Sequence, residues 1–112
     1  MPIKDLVEIK KISTREEFTE FIREGVRLVY FRADWCPPCR SLDPTIGKVA
    51  SQVRDSIKAA WIEVGDLQSV ASQEKIQSIP YVILYKDGKR VDWLDGRKNE
   101  DQYLLMTYPY TQ

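Results

Sequence analysis

The chain has no histidine and only two cysteines among its 112 residues. Without histidine, the commonest general base and the commonest zinc ligand are missing, and a cysteine–histidine catalytic pair is excluded. An excess of either charge is missing too. The 17 Lys+Arg balance 17 Asp+Glu, so no long-range field gathers nucleic acid or an anionic membrane, and partners must be recognised by local shape. No long apolar run precedes the first charges in Met1-Pro2-Ile3-Lys4-Asp5. Neither a secretory leader nor a membrane span is therefore expected, and a reducing cytoplasmic setting is the default. No repeat, linker or low-complexity segment divides the chain, and its length fits one domain, residues 1–112, with a core that needs no cross-link.

What is present converges on the two sulfurs. They lie three residues apart in Trp35-Cys36-Pro37-Pro38-Cys39-Arg40, just past the apolar run Leu28-Val29-Tyr30-Phe31. Such a pair can open and close as one disulfide. Two other readings exist. A zinc clip would need two chains to share a four-sulfur site, and a permanent bridge this short would close a tiny loop and stabilise little. A redox-active pair with no metal is the expectation.

Periodicity places the pair in a fold. Val7-Glu8-Ile9-Lys10 alternates as a half-buried strand does; Ser13-Thr14-Arg15-Glu16-Glu17 offers overlapping capping boxes for a helix through Phe18, Phe21 and Ile22 that Gly25 ends. Val26 to Phe31 reads as a central strand covered on both faces. Leu42, Ile46, Val49, Ala50 and Val53 then recur at helical spacing around Pro44, which should bend that helix. A strand over 57–64, a short helix over 67–76, a strand over 81–85, a tight Asp87-Gly88 hairpin into Val91-Asp92-Trp93 and a last helix capped by Asn99 with Gln102 complete the series. This order predicts an α/β fold, a mixed sheet with helices on both faces and the cysteines at the carboxyl end of a strand, where sites gather in such sheets.

Thiol exchange needs a thiolate, and a helix start lowers a cysteine's pKa from its ordinary 8.5 or so. Cys36 at the first turn of the Pro44 helix, with the Arg40 charge nearby, is the expected nucleophile; Cys39, one turn on, is the expected resolving thiol. Each proline restricts the residue before it, so Cys36 and Pro37 should stay outside the helix and Pro38 should begin it. Prolines also lack N–H groups, which leaves the Cys39 N–H and the helix dipole as the main stabilisers of a Cys36 thiolate and predicts a reducing couple, although Arg40 pushes the other way. Around the sulfurs, Trp35 is either an exposed apolar platform or half-buried core, and Ile79-Pro80 opens a strand with a peptide bond that is ordinarily trans. Leu94-Asp95-Gly96 is either a plain turn or an approach to the same surface.

With these residues assembled, the chain resembles the thioredoxin family along nearly its whole length. The shared marks are Trp35-Cys36-x-x-Cys39 after a hydrophobic strand, Pro44 in the next helix, Ile79-Pro80 before Tyr81, and Gly96 after the hairpin. The resemblance implies the thioredoxin fold, with about five strands and four helices, a cis peptide before Pro80, an exposed nucleophilic Cys36 and a buried resolving Cys39. It also implies a groove for disulfide-bearing proteins formed by Trp35, Ile79, Pro80 and the Asp95-Gly96 turn. The Pro37-Pro38 pair with Arg40, together with Tyr30-Phe31-Arg32-Ala33-Asp34 before it, is similar to tryparedoxins and nucleoredoxins, which are longer. Tyr30 stands where family members bury an aspartate, and Ile62 where its lysine partner would lie, so the usual proton relay is missing.

The expected activity is that of a monomeric protein-disulfide reductase without bound cofactor, recharged by a separate disulfide reductase. Asp95 suggests neutral or basic partners. The rival readings are a non-catalytic or redox-sensing binding module on the same fold and an exported disulfide-forming oxidant. The tail Tyr108-Pro109-Tyr110-Thr111-Gln112 is either a docking strip or a frayed end.

Overall fold

The computed structural model describes residues 3–6 and 8–112, with Asp5 described by its backbone alone. Among the described residues, five strands form one mixed sheet in the order β1-β3-β2-β4-β5. They are β1 (Ile9–Lys11), β2 (Val26–Arg32), β3 (Ile57–Glu63), β4 (Tyr81–Lys86) and β5 (Lys89–Asp95). The α-helices among the described residues are α1 (Arg15–Ile22), α2 (Pro37–Val53), α3 (Gln68–Gln73) and α4 (Glu100–Thr107). β3 runs parallel to β1 and β2, while β4 is antiparallel to β2 and β5. The predicted order of elements is the observed one. Val7 of the first predicted strand lies outside the described residues.

Strand alternation sorts the core into two layers. Leu28 and Tyr30 of β2 pack with Leu42, Ile46, Val49 and Ala50 of α2 and Tyr103 and Met106 of α4. Val29 and Phe31 turn to the other face, against Phe18 of α1 and Val70 of α3. The buried stretches 28–31 of β2 and 81–85 of β4 therefore read as continuous apolar runs, as strands covered on both faces must.

Local chemistry explains most boundaries. The Thr14 hydroxyl accepts from Glu17 N at the start of α1, and Asn99 and Gln102 form a reciprocal capping box at α4. Asp87 and Gly88 both take positive φ, 49° and 85°, the geometry of a two-residue hairpin that follows strand twist. α3 stops at Gln73, short of the predicted Ile76, because Lys75 adopts φ 60° and the Lys75 and Ile76 N–H groups close back on Ser72 and Ala71. That closure ordinarily uses glycine, so a lysine gave no warning of it. The tail is not frayed: Tyr108–Tyr110 forms a 3-10 turn with Tyr110 packed on the α2/α4 layer.

Candidate active site

β2 delivers the chain to the motif, and α2 begins inside it. Cys36 is the extended N-cap (φ −98°, ψ 104°) and both Pro37 and Pro38 lie within the first turn. The expectation that Pro37 stays outside the helix is therefore corrected. First-turn N–H groups have no helical acceptor, so consecutive prolines sacrifice nothing there. Pro44 likewise sits inside an unbroken α2, where it removes the bond to the Arg40 carbonyl without ending the helix.

Cys36 and Cys39 are joined as a disulfide with Cα atoms 5.2 Å apart. The Cys39 N–H points at Cys36 Sγ (3.3 Å), the one donor that the two prolines leave in that turn. Cys36 is 4% exposed and Cys39 fully buried. The expected exposed nucleophile is thus a nearly covered one, packed with Ala33 and Ile79; only the ranking of the two sulfurs is as expected. Exposure falls instead on Trp35, at 71%, which decides for the platform over the core.

The Ile79–Pro80 peptide is cis, as the family resemblance implied and against the ordinary trans preference. The Ile79 carbonyl oxygen lies 3.9 Å from Cys36 Sγ. Trp35 and Ile79, with Val64, Ile76, Gln77 and Ser78, line an open hollow of about 200 Å³; neither cysteine borders it, but Val64 and Ile79 of its wall also pack against the pair. The turn after β5 meets this wall by a bond from Gly96 N to Pro80 O (2.8 Å), and Asp95 stands exposed opposite Tyr81 in the ladder. The structure therefore gathers Trp35, Cys36, Cys39, Ile79, Pro80 and Gly96, with Asp95 at the margin. Val64 and the segment 76–78 were missed, since nothing in their residue types marks a hollow.

Beneath the motif lies a buried ionic cluster. Arg32, whose side chain is 2% exposed, donates to Asp43 through Nε and Nη2, and to Asp34 and Glu63 through Nη1 (2.6 Å each). Glu63 also accepts the Asp34 N–H (2.8 Å). The Tyr30 hydroxyl is shared between Asp43 Oδ1 (2.7 Å) and the Cys39 carbonyl (2.9 Å). Burial, reinforced by the facing Asp43 carboxylate, pushes the Tyr30 phenol well above its ordinary value, so it holds its proton. Burial alone would lower the Arg32 value, but the hydrogen bonds to Asp43 and Asp34 win and raise it. Arg40 bonds the Asp34 carbonyl (2.8 Å) and, with Arg32, Asp43 and Trp61, lines a cleft of about 790 Å³ that neither sulfur borders. The sequence signals for this cluster were a charge ending an apolar strand and a carboxylate one helical turn past Cys39.

The site's frame has known counterparts. The thioredoxin family model matches residues 9–107. The thioredoxin of Chlamydia caviae is 36% identical over 96 residues, covering 86% of this chain and 93% of that one. Among solved structures, a mutant thioredoxin from Halobacterium salinarum superposes with a TM-score of 0.87 at 29% identity, covering 96% of this chain and 94% of that one. Plasmodium falciparum thioredoxin gives 0.84 at 26% identity, covering 91% and 99%. The chain belongs to the thioredoxin family.

Proposed function

We propose that the protein is a thiol-disulfide oxidoreductase that reduces protein disulfides, with Cys36 as nucleophile and Cys39 as resolving thiol. The observation that carries this reading is the disulfide at the tip of α2, its outer sulfur receiving the Cys39 N–H beside the cis Ile79–Pro80 peptide. In the reduced protein, the same N–H and the α2 dipole favour a Cys36 thiolate. That thiolate attacks a substrate disulfide: one Cys36–substrate S–S bond forms, and the other substrate sulfur leaves with the electron pair. Cys39 then loses its proton, attacks Cys36 and expels the second substrate sulfur, so two electrons pass to the substrate and the intramolecular disulfide returns. Burial of Cys39 orders these steps, because Cys36 keeps a little exposed surface and Cys39 has none.

Trp35, Ile79, Pro80 and the Asp95-Gly96 turn receive the partner's chain, and Pro37 and Pro38 stiffen the loop that presents Cys36. Residues 1–112 act as one monomeric domain in a cytoplasmic setting, and a separate disulfide reductase restores the dithiol. Support for this part comes from the match to the thioredoxin family over residues 9–107. Insulin-type disulfide reduction with dithiothreitol tests the reading. Turnover that disappears in Cys36→Ser is expected; turnover no better than dithiothreitol alone in the unaltered protein would leave a binding module instead.

A further inference from the structure

Arg32 binds three carboxylates with one positive charge. Asp43 and Glu63 are largely buried, with side chains 5% and 17% exposed, while Asp34 is 85% exposed. The cluster reaches both ends of the dithiol. Asp34 is two residues before Cys36; Asp43 is one helical turn after Cys39, a spacing that puts Cβ atoms about 5–6 Å apart. Tyr30 ties the Asp43 carboxylate to the Cys39 carbonyl. Other charges facing this region are Arg40, engaged with the Asp34 carbonyl, and Lys4 and Lys11 across the solvent-open cleft. Lys11 also pairs with Asp66 (3.5 Å). Within the buried part the balance is negative.

We propose that Arg32, Asp43 and Glu63 are positioning residues that set the redox poise of the Cys36–Cys39 pair, their excess negative charge disfavouring thiolate and holding the couple toward the reducing end. A carboxylate near a thiol opposes its ionisation, whereas the disulfide carries no charge to be opposed. The reduced state therefore loses stability relative to the oxidised one, and the pair gives up its electrons more readily. Arg32 limits the effect and holds Asp43 and Glu63 in place. Tyr30, its phenol proton retained, contributes no charge. This inference rests on reading Cys36–Cys39 as the working couple.

The test is equilibration with glutathione buffers at pH 7, together with the pH dependence of Cys36 alkylation. Asp43→Asn should move the equilibrium toward the dithiol by about threefold or more, about 14 mV upward, and lower the pH at which Cys36 reacts. Glu63→Gln should act in the same direction but less, and Asp34→Asn least, in order of exposure. Arg32→Gln should shift both measurements the opposite way, and Arg32→Lys should restore them. Loosened packing would move the acidic and basic variants alike, so shifts of one sign, or none for Asp43→Asn, overturn the proposal. If Arg32→Gln does not fold, the ranking among the three carboxylate variants decides, and a ranking that ignores burial overturns it. Failure of the unaltered protein to equilibrate with glutathione would remove the thiol-exchange reading and this inference together. Equilibration without the variant shifts removes only this inference.

Discussion

Arg32 grips Asp43 with two nitrogens, Nε to Oδ1 at 3.2 Å and Nη2 to Oδ2 at 2.9 Å, and so fastens the end of β2 to the second turn of α2. Both partners are buried, which makes breaking the pair expensive even where its net worth is small: the survivor is left as an uncompensated charge out of water. Asp43→Ala should destabilise the oxidised protein by about 3–5 kcal/mol, read from urea unfolding. Asp34→Asn, exposed and screened, should cost less than about 1 kcal/mol. The Arg32 hydrogen bond holds the Asp34 carboxyl below its ordinary range. Its small contribution is therefore complete above the unfolded value of about 3.9 and fades as pH falls through the lower folded value. Equal losses for the two variants would contradict this assignment.

The two sulfurs should differ in reach. After mild reduction, iodoacetamide is expected to modify Cys36 first, since Cys39 has no exposed surface. Cys39→Ser should retain the first attack and accumulate mixed disulfides with protein substrates, which mass spectrometry of the trapped species would show. Preferential labelling of Cys39 would reverse the proposed roles.

Asp95 offers a handle on partner choice. It is exposed on the last residue of β5, next to the Gly96 turn bonded to Pro80. Asp95→Lys should shift the preference among disulfide peptides from basic toward acidic ones by a fewfold in kcat/KM at low salt, and the shift should shrink as salt rises. A variant with an unchanged preference would remove Asp95 from the groove.

Alkaline pH should unfold the protein through its tyrosines. Burial raises the phenols of Tyr30, Tyr85 and Tyr103, with the Asp43 carboxylate adding to the first and the Glu74 carboxylate to the second. A raised folded value stabilises fully below the unfolded value of about 10 and is lost as pH climbs beyond it. Stability should therefore show no loss from these groups up to about pH 10 and then drop, with their phenolate absorbance appearing together with unfolding. Phenolate signal from all six tyrosines before any loss of structure would show these sites to be wet.

Sequence pattern by itself determined the sheet and its helices, the order in which they occur, and the placement of Cys36 and Cys39 at a strand-to-helix junction. Apolar period, capping residues and the Asp87-Gly88 turn are local signals, and each acts within a few residues of where it is written. It also marked Trp35, Ile79, Pro80 and Gly96 through their likeness to a family. Only tertiary structure decided that Trp35 is exposed while Cys36 is nearly covered, that the Ile79–Pro80 bond is cis, and that Pro37 belongs to α2. The Arg32 cluster is the clearest case. Its four charges are scattered from position 32 to 63, and no spacing rule joins them; they meet because β2 and β3 end where α2 begins, and there a buried guanidinium must find its acceptors.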